Sequence, residues 1–202
     1  MASPTTTTKP ASKLSGDLAR VLPHLQLDDQ GRSALAGCKD AVEALDRLER
    51  AGLLIEATRL IAHTLPAREA VWWACTCSRY TAASGTHLAA EAEVRAAAEE
   101  WVRKPTDEQR RAAMKQAETT GFGSAEAWAA IAAFWSGDSM APPDAPKVPP
   151  QPHFTGLAVA GSVALAAARG PAVRRDDRLA RFLVSAKDIA VGGAGRLEAE
   201  PD

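Results

Sequence analysis

The 202-residue chain is short of the residues that build sheets. Val and Ile together number 15, and there is one Tyr beside four Phe. Alanine, the best helix former, occurs 44 times. A mainly β fold is therefore excluded, because β-branched and aromatic side chains are what strands are made of. Cysteine is scarce, at three, an odd number without framework spacing, so a disulfide scaffold is not expected. Cys75 and Cys77 lie two apart and diverge by about 200° on a helix, too far to share a metal. The four histidines (His24, His63, His87, His153) are scattered, none at a ligand spacing. Neither charge is in surplus, with 24 basic against 25 acidic residues, which argues against nucleic acid as the partner. Long apolar runs are also missing. The most apolar stretch, LAVAGSVALAAA at 157–168, rises about 18 Å as a helix, short of the roughly 30 Å of a bilayer core. The first residues, MASPTTTTKPASK, carry no apolar signal-peptide core. A cytoplasmic protein with no membrane contact, no metal and no cofactor is expected.

What is present is helical periodicity. Leu14, Leu18, Val21, Leu22 and Leu25 form a stripe that Pro23 interrupts. Val42, Leu45 and Leu48 form a second, closed by Gly52. Pro66 suits the first position of a helix running to about Ala83. Thr106-Asp107-Glu108-Gln109 is a capping box, and Ser124 caps a helix carrying Trp128, Ile131 and Trp135. Residues 142–152 hold six of the thirteen prolines, and such a run prefers an extended polyproline strap. The expected fold is all-α: a compact bundle of eight to ten helices in all with an extended proline-rich strap, the helical body at 13–140 and the strap at 141–152. Two further helices at 153–193 pack on the same bundle, between a disordered tail at 1–12 and a flexible tail at 194–202.

No local signature of catalysis is found. There is no G-x-S-x-G elbow, and the Gly-rich run at 192–195 follows a helix instead of opening one, so it cannot cradle phosphate. Asp176 and Asp177 start a helix, where carboxylates favour the positive end. Arg174, Arg175 and Arg178 read as a solvated basic face. An enzyme would need a site assembled from distant residues, such as two or three of His63, His87, Glu69, Cys75 and Asp138. The tryptophans are more informative. Each of the five brings a large apolar area and one N–H that wants an acceptor. Trp72 and Trp73 are adjacent and diverge by about 100°, so both are buried only if their helix is widely enclosed. Trp135 runs into a turn and the proline strap, an arrangement suited to aromatic–proline stacking.

Four segments together carry a resemblance: LPAREAVWWAC (65–75), AFWSGDSMAPPDAPKVPPQP (133–152) with TGLAVAGSVALAAA (155–168), and FLVSAKDIAVGG (182–193). They resemble a bacterial family of unknown function whose members are often encoded beside spike and spike-tip components of type VI secretion systems. The resemblance spans most of residues 53–193 and supplies no catalytic or ligand residues. It implies an accessory protein acting near a secretion spike or its cargo. The expected function is thus a non-enzymatic adaptor that binds a protein partner, an effector or spike-tip component. The expected contact residues are Trp72, Trp73, Trp135, Asp138, Pro142, Pro143, Pro149 and Pro150, with aromatic anchors at the centre. An immunity-type or regulatory binding protein is the alternative, and an assembled enzyme site the less favoured one.

Overall fold

The computed structural model describes residues 12–15, 17–84, 89–198 and 200. The bulk of the expected N-terminal tail, and His87, fall outside them. The described residues form an all-α bundle: α1 (Leu18–Val21), α2 (Asp29–Leu35), α3 (Ala41–Arg50), α4 (Leu54–Thr64), α5 (Ala67–Tyr80), α6 (Ala89–Arg103), α7 (Asp107–Thr119), α8 (Ala125–Trp135), α9 (Phe154–Ala168) and α10 (Arg175–Ala190). No strand occurs among them.

The helices begin where the sequence offers oxygen to their free amides. Asp17, Asp28, Asp40, Thr106 and Ser124 each accept from an amide in the following first turn. Replacing such a cap with Ala costs about 1 kcal/mol. The helix α2 has no counterpart in the sequence reading. Gly31 inside it is a poor helix former, yet Asp28 caps it through the Gly31 amide at 2.7 Å. Pro23 does not simply end the first stripe. It opens a 3-10 turn, Leu22–His24, which delivers Leu25 to full burial.

The centre of the bundle is α5, α8 and α9. The most extensive packing is α8 on α9; α9 also lies against α4 and α5, α6 and α7 cover α8, and α10 crosses α4, α5 and α9. A largely apolar helix belongs in an interior, and α8 is buried on nearly every side, its one charged residue, Glu126, paired with Arg169 at 2.7 Å. The helix α9 packs closely because its contact residues are small. The Ser162 hydroxyl donates to the Ala125 carbonyl of α8 at 2.7 Å, and Gly156 leaves room for the His63 ring. No helix among the described residues is long and apolar enough to cross a membrane.

The C-terminal segment departs from expectation. Beyond α10 the described residues are tied down. Gly192 and Gly195 take left-handed backbone, and a side chain at Gly193 would collide with the Asp188 carboxylate. Asp188 accepts from the Gly195 amide at 2.8 Å, and Ser185 donates to the Gly195 carbonyl at 2.6 Å. Glu200 then forms a two-point ion pair with Arg178 at 2.8 and 2.7 Å. Arg178 is therefore no solvated cation. It is fully buried and also donates to the carbonyls of Ala167 and Arg169.

Candidate functional site

The turn after α8 is organised by one buried residue, Arg110 of α7. Its guanidinium donates to the carbonyls of Phe134 at 2.7 Å and Ser139 at 2.9 Å, and pairs with Asp107. It thus satisfies the end of α8, where carbonyls lack partners, and fixes the start of the next segment. A side chain at Gly137 would collide with this guanidinium, which explains the glycine. The Ser139 hydroxyl then accepts from the amides of Ala141 and Val148, both at 3.1 Å. Met140 donates to the Val148 carbonyl at 2.7 Å, and Ala145 to Pro142 at 3.1 Å.

The proline segment is consequently not one continuous extended strap. It turns at Pro142, folds back on residues 138–140, and only then runs along the body as far as α9. The physical reason is that Ala141, Ala145 and Val148 keep amides the prolines lack, and Ser139 and Pro142 supply the acceptors. Pro142 and Pro143 are carried outward at the exposed tip, whereas Pro150 is half-buried and Pro149, itself exposed, lines a cleft beside the bundle.

Between this segment and the bundle is a cleft of about 350 Å³. Trp135, Asp138, Pro149 and Pro150 line it from one side, and His63, Leu65 and Gly156 from the other. Trp135 is half-buried and packs its ring against Phe154 with centroids 5.0 Å apart. Asp138 pairs with Lys147, and that hydrogen bond holds its carboxyl below the usual range. His63, on the cleft wall, belongs to a stack of three histidines from distant elements. His24 lies 4.2 Å from His153 and 5.4 Å from His63, ring centre to ring centre. Burial, and then the neighbouring rings, push the His63 pKa down to about 4. His153 is shifted down for the same reasons, burial first and His24 second. Parallel rings do not aim their nitrogens at a common point, and no group of histidines, cysteines and carboxylates suited to a metal occurs among the described residues.

The other expected contact residues behave differently. Trp73 is a correction: it is fully buried, and its indole N–H donates to the Phe182 carbonyl at 2.9 Å. A partner cannot reach it, because α5 is enclosed on that side by α10. Trp72 is half-buried, donates to the Ala194 carbonyl at 2.8 Å and lies beneath the Arg79 guanidinium. Its polar handle is already occupied by the chain's own C-terminal segment. Of the residues that an assembled enzyme site would need, Cys75 is fully buried with its thiol pKa pushed up by burial, and Glu69 pairs with Lys13 at 2.8 Å. His63 and Asp138 share the cleft without a hydrogen bond between them.

Sequence reasoning missed the histidine stack and Arg110. Residues 24, 63 and 153 carry no spacing signal; the one visible trace was glycine, at 137 and 156, where a ring or a guanidinium passes close to the backbone.

The match to known families covers most of these elements, residues 44–190. The chain belongs to DUF6931, a family of unknown function. The DUF6931 match takes in Trp135, Asp138, both cleft prolines, His63 and His153, and leaves His24 outside it. No curated protein and no solved structure matches this chain.

Proposed function

We propose that this chain is a non-catalytic helical adaptor that binds a protein partner in the cleft between Trp135 and the returning proline segment. The observation that carries the reading is the construction of that cleft. A large aromatic ring is held half-exposed beside two prolines, on a turn made rigid by a buried arginine. Rigid aromatic and proline surface loses little entropy on binding, so it suits the centre of an interface. Asp138 and Lys147 at the rim supply charge for register. The family resemblance of the sequence supports a partner from a type VI secretion apparatus, an effector or spike-tip component held in the cytoplasm before loading.

The test is co-expression of the tagged chain with each product of the neighbouring genes. One product is expected to co-purify with the wild type and to be lost with Trp135→Ala, while the variant keeps its helical circular dichroism. Toxicity of that product expressed alone would assign an immunity role to the same surface. Equal recovery with Trp135→Ala would show that the cleft is not the contact.

A further inference from the structure

Behind the histidine stack is a second cavity, of about 200 Å³, between α4, α8 and α9. Its apolar walls are Ile55, Trp128 and Leu157. Gly161 and Ala164 of α9 form its small-residue floor; Gly161 lets the Trp128 ring rest directly on the α9 backbone. Two polar side chains of α4 give the cavity its character. Thr58 is only 1% exposed, yet its hydroxyl has no hydrogen-bond partner. Other buried threonines in helices return theirs to a carbonyl one turn back, as Thr64 does to Leu60 at 2.8 Å and Thr76 to Trp72 at 3.0 Å. A buried hydroxyl left unpaired is costly. Beside it, Arg59 uses one N–H on the Leu25 carbonyl at 3.0 Å, and its nearest carboxylate, on Glu56, is 4.0 Å away. No carboxylate lines the cavity, and both histidines on its wall belong to the stack.

The geometry points to a binding site for a small organic carboxylate with a single apolar ring. An apolar cavity of about 150 Å³ accepts benzene, so this one has space for a ring and a carboxylate. The ring lies between Trp128, Ile55 and Leu157. The carboxylate takes the remaining Arg59 donors and the proton of the Thr58 hydroxyl. The site is separate from the partner cleft and does not depend on it, although His63 borders both.

Benzoate at millimolar concentration is the probe, with benzylamine as its opposite-charge counterpart. The readouts are the midpoint of thermal unfolding and the Trp128 indole cross-peak in a proton–nitrogen spectrum. Benzoate is expected to raise the midpoint and move that cross-peak, and benzylamine to do neither. Arg59→Met should weaken benzoate by about tenfold, the cost of losing a charged hydrogen-bond donor. Arg59 also holds the Leu25 carbonyl, so Thr58→Val provides the independent variant: it should fold at least as stably and still bind benzoate more weakly. Ala164→Phe, which fills the cavity, should abolish binding. Absence of any benzoate effect, an equal response to benzylamine, or undiminished binding by Ala164→Phe or Thr58→Val would overturn the proposal.

Discussion

The middle of α5 and the C-terminal end of α8 both carry tryptophan, and the bundle uses them in opposite ways. In α5, Trp73 is sealed against α10 with its N–H satisfied, and Trp72, half-buried, has its N–H taken by the chain's own C-terminal segment. At the end of α8, Trp135 stays half-exposed in a cleft whose backbone is fixed from below by Arg110. The difference lies in what covers each helix. The helix α5 runs through the centre, enclosed by α6, α8, α9 and α10, whereas α8 ends at the surface where the chain must turn back. Bulky indoles are thus engaged by the chain's own backbone in one region and left half-exposed beside a cleft in the other.

That contrast can be broken by substitution. The largest effect belongs to Trp73→Ala, which should cost about 3–5 kcal/mol of unfolding free energy in a denaturant titration. Next, Glu200→Ala leaves the buried Arg178 without its carboxylate and should cost about 3 kcal/mol. It should also speed amide exchange in the segment after α10. Trp135→Ala should cost only roughly 1 kcal/mol, because the half-exposed ring buries less apolar area. A loss for Trp135→Ala as large as that for Trp73→Ala would erase the distinction between the two regions.

A pH dependence centred on His63, on the cleft wall, sharpens the same comparison. His63 is held neutral, with its pKa near 4 against 6.5 for an ordinary imidazole, by burial and by His24 and His153 stacked beside it. Arg59, on the same helix, is a further cation lining the cavity wall. On acidification the unfolded chain takes up the proton first. The stabilisation from neutral His63 is therefore complete above pH 6.5 and is lost as pH falls from there through about 4. The thermal midpoint should fall across that window, and His63→Asn should flatten the fall. An unchanged slope would place the acid sensitivity elsewhere.

Much of the fold was legible because it rests on local chemistry. Alanine content, capping residues at 106 and 124 and the 3–4 spacing of Leu, Val and Ile specify helices without reference to tertiary structure. The short helix α2 was not legible, since Gly31 speaks against a helix that tertiary packing nevertheless stabilises. The candidate site was legible in part. Trp135, Asp138, Pro149 and Pro150 do meet in one cleft, since they are neighbours along the chain. The histidine stack joins residues 24, 63 and 153, and only tertiary packing brings the Leu22–His24 turn, α4 and the start of α9 together. Trp73 was misread because two adjacent indoles on one helix look like one buried and one exposed residue, and nothing local says which way α10 will close over them.

The measurement that bears most directly on the central claim is the affinity of the co-purified partner for three proteins side by side: wild type, Trp135→Ala and Trp72→Ala. The account predicts a loss of about tenfold or more for Trp135→Ala, the size of an interface anchor, and near wild-type binding for Trp72→Ala. Loss of binding by Trp72→Ala with Trp135→Ala unaffected would contradict it and move the recognition surface to α5.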